Sequence, residues 1–190
     1  MTTSSSPIPH DVMVPRLSQK SYEWYTPTRY IQLVREVLGP ISLDPASCEV
    51  ANLVIQAEHY YDVQADGLQQ SWKAATLFLN PPYCKTGAVS NQELWTRKLL
   101  TEYEVGHVKE AILLVNAATE TLWFQRLYTY PICFVKGRIQ FNSPQGSKNS
   151  STVGSAFVYF GTNTEQFVRV FGRIGTIVKC ILPAEELKYL

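Results

Sequence analysis

Two uninterrupted apolar runs, TLFLN at 76–80 and EAILLVN at 110–116, constrain this chain more than any other feature. A strand with one wet face alternates apolar and polar residues, so a run without alternation must be covered on both sides. Around these runs lie stretches with helical spacing. From Thr28 to Leu38 one stripe carries Ile31, Val34, Val37 and Leu38, with Gly39 and Pro40 as its stop. A second helix is predicted from a cap at Asn91 to Tyr103, closed by Gly106, with Leu94, Leu99, Leu100 and Tyr103 as its apolar positions. Covered strands alternating with helices predict an α/β domain with a mostly parallel sheet between two helical layers.

The remaining elements follow the same logic. ISLD at 41–44, AEHYY at 57–61 and ICFV at 132–135 read as strands, and a short helix is expected from Ser47 or Cys48 to about Val54. Another helix is expected over 119–128. RIQF at 138–141 reads as extended chain entering a polar loop at 142–154, and SAFVYF and TIVKCIL as strands flanking a helix around 166–171. Residues 1–20 mix Ser, Thr and Pro without periodicity and predict a flexible tail, leaving 21–190 as a single domain.

Composition narrows the class of function. With 190 residues, 45% of them hydrophobic, the chain can bury one sizeable core. No stretch approaches the roughly 20 apolar residues that span a bilayer, which predicts a soluble, cytoplasmic protein without a membrane partner. Cys48, Cys84, Cys133 and Cys180 lie far apart, form no CxxC pair and have no histidine cluster beside them, so reduced thiols are expected and no metal site. Net charge is only +1, yet residues 1–95 hold six Lys/Arg against nine Asp/Glu, and residues 96–190 hold eleven against seven. Between 126 and 173 the only acid is Glu165, which predicts a basic face there.

In open sheets of this type ligands bind beyond the carboxyl ends of the strands. Asn80, Pro81, Pro82 and Tyr83 stand at such an end. The exocyclic nitrogen of adenine is a poor nucleophile, because its lone pair is delocalised into the ring. Two fixed acceptors, the Asn80 side-chain oxygen and the Pro81 carbonyl, can take both amine hydrogens and favour a tetrahedral nitrogen whose lone pair faces an electrophile. The prolines stiffen the segment and bring no competing N–H. Tyr83 offers a ring on which a base can stack, a contact worth about 1 to 3 kcal/mol. Holding the reacting atoms in line can supply roughly 7 to 11 kcal/mol more. The electrophile that fits is the sulfonium methyl of S-adenosylmethionine. Any planar conjugated amine poses the same problem, so an RNA amine or a protein glutamine amide remain alternative substrates, and a non-catalytic DNA-binding module remains a third reading.

TLFLNPPY resembles motif IV of the adenine amino-methyltransferases, and the chain from about 22 to 181 is similar to the phage-type DNA adenine methyltransferases, the Dam-like family. EWYTPTRYIQLV (23–34) resembles the family's opening segment, LDPAS (43–47) its first cofactor motif, and DGLQQSW (66–72) the approach to the catalytic strand. The resemblance implies a Rossmann-like class I S-adenosylmethionine-dependent methyltransferase fold, with a seven-stranded, mostly parallel sheet and one antiparallel strand, either SAFVYF or TIVKCIL. It implies methylation of adenine in DNA after base flipping, in a phage-, prophage- or plasmid-encoded bacterial setting. By the same resemblance Trp24, Tyr25, Thr26 and Pro27 flank the methionine end of the cofactor, Asp44 faces its ammonium with Ser47 close by, and Asp66 accepts from its adenine. Glu58 or Asp62 is left to hold the ribose. LDPASCEVAN departs from the pattern in having no glycine, where methyltransferases often carry a glycine-rich loop. No separate recognition domain fits into 190 residues, so DNA contacts are expected from the segments 84–92 and 142–154, with Lys85, Lys148 and Asn149 at phosphates or base edges and Phe141 beside the extruded base.

Overall fold

The computed structural model describes residues 24–86, 89–142, 148–150 and 153–181, with residues 85, 86 and 148–150 described by their backbone. The expected tail at 1–20 lies outside the described residues. The strands are β1 (Leu43–Asp44), β2 (His59–Tyr60), β3 (Ala74–Leu79), β4 (Lys85–Thr86), β5 (Val89–Ser90), β6 (Val108–Asn116), β7 (Ile132–Val135), β8 (Gln140–Asn142), β9 (Lys148–Ser150), β10 (Ser155–Phe160) and β11 (Gly175–Val178). The helices are α1 (Thr28–Leu38), α2 (Glu49–Ile55), α3 (Asn91–Glu104), α4 (Leu122–Gln125) and α5 (Thr164–Phe171).

Seven strands form the main sheet, in the spatial order β2-β1-β3-β6-β10-β7-β11. β1, β2, β3 and β6 are mutually parallel, while β10 runs antiparallel to both β6 and β7, and β11 antiparallel to β7. The single antiparallel strand expected from the sequence is therefore corrected to two. β10 and β11 flank β7 and are joined through α5, and a helical crossover of that kind links strands of the same direction. Two hairpins, β4–β5 and β8–β9, project separately, so part of the stretch read as a polar loop is paired chain.

β6 shows why the apolar runs do not alternate. Ile112 and Leu114 pack on one face with α1 and α5, through Ile31, Val34, Phe167 and Phe171. Leu113 and Val115 pack on the other with α3 and α4, through Trp95, Leu99 and Phe124. All four β6 side chains are fully buried. Each such side chain contributes about 1.5 to 3 kcal/mol through burial.

The helix ends follow from local chemistry. α1 stops at Gly39, whose φ of 73° suits a residue without Cβ. Ser90 rather than Asn91 stands at the cap of α3, because the Asn91 amide turns back to donate to the Cys84 sulfur at 2.8 Å. The helix expected over 119–128 is shorter: the Thr121 hydroxyl accepts from the Phe124 N–H and starts α4 there, and a 3-10 turn over Arg126–Thr129 follows. The basic residues do not share one face. Arg173 pairs with Glu36 of α1 at 2.5 Å and Arg169 bonds Gln166 of α5, whereas Lys136 and Arg138 follow β7 at the carboxyl edge of the sheet. No described helix is long and apolar enough to cross a membrane.

The connections from β1 to β2 and from β3 to β6 leave on opposite faces, through α2 and α3. The neighbouring carboxyl ends of β1 and β3 thus form a switch point, where an open sheet has its natural crevice. Leu113→Ala, in the central strand, is expected to lower stability by about 2 to 5 kcal/mol. Urea unfolding of the variant tests this, and a loss under 1 kcal/mol would show that the two layers do not meet at β6 as described.

Candidate active site

The crevice is a cavity of about 750 Å³ that extends from Asp44 at the end of β1 to Asn80 and Tyr83 after β3. Cavities of this size hold ligands as large as nucleotides. Its floor at the β1 end is a buried carboxylate. Asp44 is 1% exposed, and its Oδ1 accepts the Ala46 N–H at 3.1 Å. Burial pushes its pKa up to about 7, against the lowering effects of the Ala46 N–H and the adjacent Ser47 hydroxyl. The Ser47 hydroxyl lies close enough to influence that carboxylate but makes no hydrogen bond of good geometry among the described residues, where Thr26 Oγ1 is likewise buried without a partner. A buried acid and two unused hydroxyls at one end of a cavity suit a ligand carrying both a cation and an acceptor.

Two acids form the outer rim. Asp62 caps a turn through the Gln64 and Ala65 N–H groups at 3.0 and 2.9 Å, and Asp66, with φ at 49°, accepts from Leu68 N–H at 3.2 Å. Both line the cavity. Glu58 precedes β2 and is exposed at the other end of that strand, so of the two acids left open only Asp62 reaches the crevice.

At the β3 end Asn80 is held at both ends of its amide. Its Nδ2 donates to the Trp24 carbonyl at 3.0 Å, and its Oδ1 accepts from the Tyr83 hydroxyl at 3.0 Å. An amide oxygen has two lone-pair sites, so one is left for a ligand. The Tyr83 ring stands edge-on to Phe141, with centroids 5.6 Å apart and planes at 62°. Burial raises the Tyr83 phenol far above its ordinary range, so it acts as a neutral donor.

A family model for DNA N-6-adenine-methyltransferase (Dam) matches residues 16–174. The chain belongs to the Dam family. No curated protein and no solved structure matches it.

Within this Dam-family chain the sequence-predicted residues separate into groups. Trp24, Tyr25, Thr26, Asp44, Ser47, Asp66, Asn80, Pro81, Pro82 and Tyr83 all line the one cavity. Pro27 does not line it and stands before the first turn of α1. Phe141 is 3% exposed and belongs to the core behind Tyr83, not to the cavity wall. Lys85 and Lys148 lie on the β4 and β9 backbones. Asn149 follows Lys148 on β9. Among the described residues no group of three or more His, Cys, Asp or Glu could hold a metal.

Gly67 and Asn142 are among the lining residues that escaped the sequence reading. Gly67 lies so close to the β1 end that a Cβ there would meet the Pro45 carbonyl oxygen at 2.0 Å and Trp95 at 2.9 Å. The Asp-Gly-Leu turn was its signal in the sequence. Trp72, stacked on Trp95 at 5.7 Å, donates to the Gly67 carbonyl at 2.7 Å and holds the turn down. Asn142, the first residue of the stretch read as a loop, lines the cavity and is bridged to Tyr25 by two backbone hydrogen bonds of 2.8 and 3.1 Å.

Two outcomes follow from this geometry. Gly67→Ala is expected to cost at least about 2 kcal/mol, since the backbone it meets cannot rotate away; an unchanged urea midpoint would contradict the packing. Asp44 binds its proton more tightly folded than unfolded, so the stability it contributes is complete below its unfolded value near pH 4 and is lost as pH rises through about 7. Asp44→Asn removes that slope. Its stability relative to the unaltered protein is expected to climb between pH 4 and 7 and level off above, and parallel curves would show that Asp44 is not buried in this way.

Proposed function

We propose that this chain transfers the methyl group of S-adenosylmethionine to the exocyclic amino nitrogen of adenine in DNA, on a Rossmann-like class I methyltransferase fold. Membership of the Dam family supports the substrate class. The observation that carries the mechanism is the orientation of the Asn80 amide: its nitrogen is turned to the Trp24 carbonyl and its oxygen to the Tyr83 hydroxyl, so the end on the Tyr83 side of the cavity is an acceptor with one lone-pair site left.

A neutral amine brought to that oxygen and to the Pro81 carbonyl has both hydrogens engaged and its lone pair directed away from them. Neither Pro81 nor Pro82 offers an N–H that would compete. The target base must leave the duplex to reach this position, and the Tyr83 ring replaces part of the stacking it loses. At the other end of the cavity Asp44 fits the methionyl ammonium, the free hydroxyls of Thr26 and Ser47 fit its carboxylate, and Asp62 and Asp66 fit the ribose and adenine edges. When bound, the cofactor supplies a methyl group made electrophilic by its sulfonium. Asp44 ionises as pH rises through about 7, and a cation beside it favours the charged form at lower pH as well.

Incubation of the purified protein with methyl-labelled S-adenosylmethionine and DNA is expected to yield N6-methyladenine, detected by mass spectrometry of the nucleosides. Cofactor binding without label in adenine would overturn this reading, and label in RNA or in protein glutamine would move the substrate class. Asn80→Ala is expected to keep cofactor affinity and to lose about 100-fold or more in turnover. Asn80→Asp should fare no better, because a carboxylate oxygen would replace the N–H that faces the Trp24 carbonyl. Near-normal turnover in either variant would end the acceptor mechanism.

A further inference from the structure

Asn80, Pro81 and Tyr83 recognise a planar amine, and an amine alone does not distinguish adenine from cytosine or orient the ring that bears it. A second group must engage the ring. We propose that Asn142 is that group, a specificity-determining residue whose side-chain amide donates to a ring nitrogen flanking the target amine; the proposal rests on the reading of adenine as substrate.

Three observations point to it. Asn142 lines the same cavity as Asn80 and Tyr83, and its side-chain amide makes no hydrogen bond with any described residue. Its position is also set by the segment that sets Asn80. Trp24 accepts from the Asn80 amide at 3.0 Å, while the next residue, Tyr25, holds the Asn142 backbone by bonds of 2.8 and 3.1 Å. Two carboxamides are thereby indexed to adjacent residues of one strand-like segment. Finally, Asn142 directly follows Phe141, which backs the Tyr83 ring edge-on, so a base stacked on Tyr83 would lie within the same corner of the cavity.

The chemistry fits adenine closely. Its amine is flanked by N1 and N7, both acceptors, and an asparagine amide pairs naturally with an amine and its neighbouring ring nitrogen. The Asn142 Nδ2 would donate to one of these nitrogens, leaving the amine hydrogens to Asn80 and Pro81. A site that spends a buried donor on a substrate acceptor rejects analogues that lack the acceptor, since the donor is then left unpaired.

The test uses duplexes with adenine, 7-deazaadenine or 1-deazaadenine at a position that the unaltered protein methylates. On adenine, Asn142→Ala and Asn142→Asp are expected to lose about 10- to 100-fold in kcat/KM. Affinity for S-adenosylhomocysteine should be unchanged in both. One deaza base should impair the unaltered protein by a similar factor, and on that base Asn142→Ala should cost nothing further. Because the link to Tyr25 is made by backbone atoms, a purely structural role would leave both variants within about threefold on adenine, and that result would overturn the proposal. Equal losses on all three bases would overturn it too. Asn142→Gln, which keeps a donor on a longer arm, should recover part of the loss, and thermal melting of each variant separates misfolding from lost recognition. An unaltered protein that methylates no adenine is a distinct outcome, since it overturns the functional reading itself.

Discussion

The hydrogen bond from the Asn80 amide to the Trp24 carbonyl joins residues 56 apart in sequence, and most of the site depends on it. An asparagine at the end of a strand can turn either end of its amide toward a ligand, with opposite chemical consequences. The Trp24 carbonyl removes that choice. It also brings the segment before α1 across the carboxyl end of β3, where Tyr25 meets Asn142 and Thr26 is buried beside the cavity. The cavity wall and the polarity of its key amide thus have one origin.

The two ends of the crevice meet different electrostatic demands. At Asp44 the protein tolerates a poorly solvated carboxylate, which is costly in isolation and becomes favourable when a cation is bound beside it. At Asn80 no charge is present, and the polar atoms are largely satisfied before any ligand arrives. Preorganised neutral acceptors need no reorganisation when a neutral amine enters. A strained or charged arrangement at that end would work against the chemistry.

Much of the fold was legible because burial on both faces leaves a plain signature. β3, β6, β7 and β10 are apolar runs with no alternation, and Gly39 marks the end of α1 by its positive φ. The strand direction of β10 was harder to read, since parallel and antiparallel strands buried on both faces have the same composition. α4 was overextended because its aromatic residues continue a helical spacing that the Thr121 cap and the 3-10 turn cut short. At the site, NPPY was conspicuous as a local motif. Gly67 was not, because its constraint comes from the Pro45 carbonyl at a different strand end, and Asn142 was submerged in a polar stretch. Local pattern reveals an element or a motif, whereas a partner supplied by distant chain leaves no trace in it.

The backbone bridge between Tyr25 and Asn142 makes the β8–β9 hairpin an extension of the segment that steadies Asn80. An exchange of this hairpin between related proteins would therefore not be a modular transplant. Its root must keep register with the amino-terminal segment, so a change near that junction would move the Asn80 amide and Asn142 together.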